Sequence, residues 1–136
     1  MSSDYSTGLV TGIDRIGLHA GVGYTLLGQR QGFFVDARFQ EYTWGGLWER
    51  FPAVNLGWTM RWADADTSFY HSVGVMGLIT APMSSSLSPV VPAITAEAGA
   101  DWRFDGWWLR VGGQGFATFP ALAAGIGPRV SAGLSF

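Results

Sequence analysis

The chain has 136 residues, a formal net charge of −2 and no cysteine, which excludes disulfide and thiolate chemistry. Charged residues make up only 13% and aromatics 15%, with seven Trp; the charged share is about half that of an ordinary soluble domain. Every basic residue is Arg, no basic patch marks a nucleic-acid partner, and no apolar run approaches the ~18 residues of a membrane helix.

The elements read as strands from the first to the last. Tyr5–Val10 is a weak strand, read mainly because a closed sheet needs an eighth. From Arg15 to Leu27 alternation is strict: Ile16, Leu18, Ala20, Val22, Tyr24 and Leu26 oppose Gly17, His19, Gly21, Gly23 and Thr25. Such a period of two marks a strand with one apolar face. Phe33, Val35, Ala37 and Phe39 oppose Phe34, Asp36, Arg38 and Gln40. Val54, Leu56, Trp58, Met60 and Trp62 oppose Asn55, Gly57, Thr59 and Arg61. Phe69–Ile79 continues with Val73 and Val75 against Ser72 and Gly74, less cleanly. Ile94 to Trp102, Trp107 to Gly112 and Val130 to Phe136 complete eight strands. No helical period competes.

GQRQG (28–32), ADADTS (63–68) and RFDG (103–106) are short, polar and turn-like. TWGGLWERFP (43–52), TAPMSSSLSPVVP (80–92) and ATFPALAAGIGP (117–128) are longer and more apolar. Short and long connections alternate, so each kind gathers at one end of the sheet; the short link at Thr11–Asp14 is the exception. Residues 1–136 form a single domain. No signal peptide is legible, and Met1 before SSDYS reads as a start codon replacing a removed leader.

The apolar face meets either a core or lipid. A lipocalin-like barrel also alternates, its apolar face inward, and that soluble alternative stays open here. Three features favour lipid. Phe33, Trp62, Phe69, Trp102, Trp107 and Phe136 sit on the apolar face near the short turns, a belt of rings bordering Val, Ala, Leu and Met. On the other face, at a similar height, Asp36, Glu97 and Asp101 balance Arg38, Arg61 and Arg110, as a narrow interior demands. Finally, the chain ends on Phe136 with apolar residues at every second position back to Val130.

With that ending, the sequence resembles small bacterial outer-membrane β-barrels of the eight-stranded OmpA and OmpX type. The resemblance covers nearly the whole chain as architecture. It implies a closed, all-β, antiparallel up-and-down transmembrane barrel, integral to the outer membrane of a Gram-negative cell. It further implies recognition of the C-terminal strand by the assembly machinery, short turns and termini facing the periplasm, and long loops facing out.

Such a barrel is just wide enough for side chains to fill, so the charges read as a non-conducting plug, with a gated polar conduit as the alternative. Some barrels of this family act on acyl chains of lipid A, which needs a nucleophile, a His base and an acid. His19 and Ser131 share the polar face near the closure of the sheet, but no acid accompanies them. His71 lies on the apolar face and cannot pair with Ser72 beside it. The reading is therefore non-enzymatic, with no cofactor and no metal constellation. The apolar loop residues Trp44, Leu47, Trp48, Val90, Val91, Phe119 and Leu122 read as a contact surface for a protein partner or as loops resting on lipid. An entry for small hydrophobic molecules is a further alternative. The expected role is structural or interactive, including that of a subunit in a larger outer-membrane assembly.

Overall fold

In a computed structural model the backbone is described for residues 2–11, 16–27, 30–44, 47–63, 65–79, 90–120 and 124–135, and side chains for 30–39, 51–63, 65–79, 90–120 and 124–135. The described chain is all-β. Its strands are β1 (Ser2–Thr11), β2 (Ile16–Leu27), β3 (Gln31–Trp44), β4 (Leu47–Arg61), β5 (Thr67–Ile79), β6 (Val90–Phe104), β7 (Trp107–Thr118) and β8 (Ala124–Ser135). Each pairs antiparallel with the next in chain order. Residues Ser2–Gly8 of β1 also lie in register with Arg129–Ser135 of β8.

The six strands with described side chains, β3–β8, form an up-and-down sheet with opposed faces. Alternation turns Asp36, Arg38, Asn55, Thr59, Arg61, Ser72 and Gln114 into buried positions, while Phe33, Val35, Leu56, Val73, Val75 and Ile94 stay exposed on the other side. Polarity is therefore inverted relative to a soluble β-sandwich, whose large apolar residues face inward. The lipocalin-like alternative is overturned on this point: the enclosed face is the polar one.

Two glycine pairs allow the inner face to be this crowded. Gly57 stands opposite Gly74 and Gly99 opposite Gly112. A Cβ on Gly57 would run into the Val73 carbonyl oxygen and the Gly74 Cα; one on Gly99 would run into the Val111 carbonyl oxygen and the Gly112 Cα. At these positions the strands bend toward one another beyond what any side chain permits.

The short-turn end is stitched by a repeated bond. The Arg30 carbonyl accepts from the Arg61 amide (2.6 Å), the Asp66 carbonyl from the Arg103 amide (2.7 Å) and the Gly106 carbonyl from the Ser135 amide (3.0 Å). Each short turn thus closes onto the end of the strand after next. Gly106, with φ 79°, supplies the left-handed residue of the β6–β7 turn.

The opposite end differs from expectation. The sequence predicts a long loop over Thr43–Pro52, yet β3 and β4 run into it until Trp44 opposes Leu47. Val90 and Val91 are the first residues of β6, not loop residues; Val90 is exposed on the outer face and Val91 is buried within. The alternation of these β-branched residues outweighs the breaking effect of Pro92, which sits on the outer face. Similarly, β8 begins at Ala124, inside the stretch read as a loop. Phe119 remains exposed in the connection. Leu122 and Phe136 lie outside the described residues, as do the side chains of Trp44, Leu47 and Trp48.

Candidate functional site

The inner face carries a polar column built from alternate residues of consecutive strands. At its long-connection end Arg38 donates from Nε and Nη2 to the two oxygens of Asp36, both at 2.7 Å. This bidentate pair spans only two residues of β3, which the pleat places on one face. Asn55 Nδ2 donates to Asp36 (3.3 Å), Thr95 Oγ1 donates to Asn55 Oδ1 (3.0 Å), and Arg38 Nη1 donates to Gln114 Oε1 (3.3 Å). The Asp36–Arg38 pair thereby links, directly or through Asn55, groups from four strands, β3, β4, β6 and β7.

Deeper in, Tyr70 donates its hydroxyl to Glu97 (2.6 Å), and Arg129 pairs with the other Glu97 oxygen. Arg129 Nε also donates to Ser131 Oγ at 3.2 Å. At the short-turn end Arg110 Nε donates to Asp101 (2.8 Å), and Arg61 and Arg103 approach the other Asp101 oxygen at 3.4 and 3.8 Å. The Arg110 guanidinium lies over the Tyr70 ring and the Trp108 ring, at 4.7 and 4.9 Å, a desolvated cation–π setting. Tyr70 thus joins the middle group to the lower one.

Above the column lies an apolar cluster of Phe51, Ala53, Met76, Leu78, Val91 and Ala93, with Phe116 packed against it. Fully enclosed Phe51 and Leu78 (both 0% exposed) cap the polar groups at the long-connection end. Among the described residues, apolar lining therefore stops where Asp36 and Arg38 begin.

The outer face carries the rings. Phe33 meets Trp58 edge-on at 4.7 Å, Phe104 stacks on Trp107 at 4.0 Å, and Trp62 lies edge-on to Phe69 and His71. Trp62 Nε1 donates to His71 Nδ1 at 2.8 Å, so this indole N–H finds its acceptor within the belt. Toward the strand centres the exposed residues become Val35, Leu56, Val73, Val75, Ile94 and Val111.

The six interior charges named from sequence thus fall into three separate groups, not one level. The network also recruits Tyr70, Asn55, Thr95, Gln114 and Arg129. Parity reaches them, since each occupies an inward position; Arg129 lies before the Val130–Phe136 strand that the sequence predicts, whereas β8 begins at Ala124. Trp58 and Phe104 join the outer rings for the same reason of parity. Among the described residues, no cluster of His, Asp or Glu has the geometry of a metal site. Ser131 is held by Arg129, and the side chain of His19 lies outside the described residues; its backbone opposes Gly8, two positions from the Ser6 that opposes Ser131.

An outer face of exposed Val, Leu and Ile bounded by aromatic rings, around a wall enclosing paired charges, defines the architecture. The fold is that of the small bacterial outer-membrane β-barrels. The N-terminal β-barrel domain of Pseudomonas aeruginosa OprF superposes with a TM-score of 0.66 at 12% identity, covering 99% of this chain and 97% of that one. Neisserial surface protein A gives a TM-score of 0.72 at 9% identity over 99% and 95%. The outer membrane enzyme PagL gives 0.59 at 9% identity over the full length of both. No family model and no curated protein matches the sequence. Small outer-membrane barrels thus share with this chain a wall, and not a sequence.

Proposed function

We propose that this chain is an integral outer-membrane protein, a single domain closed by eight strands, whose filled interior conducts nothing and whose role is structural or interactive. The observation that carries this reading is the inverted polarity of β3–β8: charges enclosed in pairs, large apolar side chains exposed in a band edged by rings. In water that outer face would be an extensive apolar patch; in a bilayer it is the ordinary contact with acyl chains. Membrane lipids are then the first partner. The alternating C-terminal strand is the segment offered to the assembly machinery. The long-connection end, with exposed Phe119, is where a protein partner or a larger assembly would be met. The engagement of Ser131 by Arg129 supports a non-enzymatic role, although PagL is an enzyme with a similar wall.

The test is to fold the protein in detergent and in plain buffer, and compare boiled with unboiled samples by denaturing electrophoresis. A folded species that needs detergent and changes mobility on heating is expected. A monodisperse β-rich protein in plain buffer would overturn the membrane reading. Dye retention by vesicles containing the folded protein tests the plug, and release would overturn it.

A further inference from the structure

We infer that Trp62 and His71 form a proton-operated latch on the outer face. It is closed while His71 is neutral and opened by protonation, which turns the Trp62 indole N–H over to lipid headgroup oxygens. The opening stands on the geometry of the pair; the transfer to lipid rests on the membrane reading above. Phe69, His71 and Val73 share the outer face of β5, and the Trp62 amide donates to the Phe69 carbonyl at 2.9 Å. Trp62 therefore stands opposite Phe69 and diagonal to His71, a separation that aromatic side chains bridge. The indole, 64% exposed, lies edge-on to the imidazole with ring centroids 6.2 Å apart, and its Nε1 donates to His71 Nδ1 at 2.8 Å.

The chemistry of the two rings makes that bond conditional. An indole nitrogen only donates, and an imidazole nitrogen accepts only while it carries no proton. The bond therefore fixes one tautomer, the neutral ring with its proton on Nε2. A second proton has to enter at Nδ1, the nitrogen that the indole occupies. Two N–H groups then point at each other across a hydrogen-bond distance, and the rings part. Histidine is the side chain that changes charge between about pH 5 and 8, so the latch responds to ordinary changes of acidity.

Among the described residues, no titratable group of the adjoining strands shares this face with His71. It opposes Met60 on β4 and Ala98 on β6, and the next outer positions are Trp58, Trp62, Ala96 and Ala100. Glu97 and Asp101 of β6 point inward, where Tyr70, Arg129 and Arg110 hold them. Asp66 is exposed in the β4–β5 turn, and Asp64 of that turn lies outside the described residues; the experiment separates its charge from that of His71. Once the rings part, the indole N–H lies in the aromatic belt, where headgroup oxygens are the acceptors at hand.

The full chain, isotope-labelled at its Trp and His nitrogens and folded in phosphocholine micelles, is followed by NMR. The scalar coupling across the bond between Trp62 Nε1 and His71 Nδ1 needs no variant. It is expected at about pH 8 and lost at about pH 5, while cross-relaxation from the Trp62 indole proton to headgroup protons appears. His71→Asn keeps an acceptor near the place of Nδ1 and cannot titrate, so the Trp62 indole resonance should then hold still over the same range. In Asp64→Asn the transition should persist. The latch is overturned by a coupling absent at both pH values or present at both. It is equally overturned by a Trp62 transition that survives in His71→Asn or vanishes in Asp64→Asn. Loss of the coupling without new headgroup contacts would overturn the transfer to lipid. These outcomes are read on protein already folded in micelles, so they are distinct from failure of the membrane reading, which shows as folding in plain buffer.

Discussion

Arg38 and Asp36 sit two positions apart on β3, both nearly fully enclosed, and join at 2.7 Å through two parallel bonds. Enclosed charge is tolerated only while its partner stays. Arg38→Ala leaves the Asp36 carboxylate without its charged partner and removes the Arg38 bond to Gln114 Oε1. The expected cost is about 3–5 kcal/mol, read as a lower urea midpoint for the protein folded into lipid vesicles. Removing both charges together, as Asp36→Asn with Arg38→Gln, should cost clearly less than Arg38→Ala, because no charge is then stranded. Residue types told much of this in advance. An Arg-only basic complement and paired acids on the polar parity pointed to an enclosed network, and six members were named from alternation alone. What alternation cannot supply is which acid meets which base. Glu97 bonds across β7 to Arg129 on β8, a partnership set by strand tilt and side-chain reach, not by spacing.

At the scale of strands, glycines on the two parities of the β6–β7 hairpin have opposite consequences. Gly99 faces Gly112 so closely that a methyl group collides with backbone atoms, whereas a Cβ on Gly113, on the outer parity of the same strand, meets only the Gly127 carbonyl oxygen at 3.9 Å. Gly99→Ala is therefore expected to disrupt the β6–β7 ladder and lower the yield of heat-resistant folded species. Gly113→Ala is expected to be nearly silent in the same electrophoretic comparison. Equal losses in the two variants would show that glycine acts here through chain entropy and not through contact. Strand ends were the least legible feature. Pro92 and the glycines of WGGLW looked like punctuation, yet β4 and β6 begin before them or beside them, because ladder pairing to Trp44 and Ile79 continues past the local signals.

For the whole molecule, the outer band makes a graded prediction. Val73 lies midway along β5 on the outer face, and Thr67 begins the same strand at the ring-bearing edge. An arginine at the centre of a bilayer-spanning barrel costs about 2–4 kcal/mol, and one near the interface about 0–1. Val73→Arg should therefore unfold at much lower urea than Thr67→Arg when both are folded into vesicles. Identical midpoints would mean that the band does not meet hydrocarbon. This gradient could be anticipated from the placement of Phe33, Trp62, Phe69 and Trp107, since ring position and apolar run length are both local properties of sequence.

The distribution of inner charge has a consequence for how the wall is put into a bilayer. If the short turns remain on the side of entry, the groups that travel farthest are those toward the long connections. Asp36 and Arg38 travel on one strand, already neutral as a pair. Asp101 and Arg110 sit on the two arms of one hairpin. Glu97 and Arg129 alone wait for a strand from outside their hairpin. Arg61 and Arg103, which also approach Asp101, belong to the layer beside the turns. Among the described residues, translocated charge is thus carried largely as prepaired dipoles, and the layer with the most charges stays at the threshold.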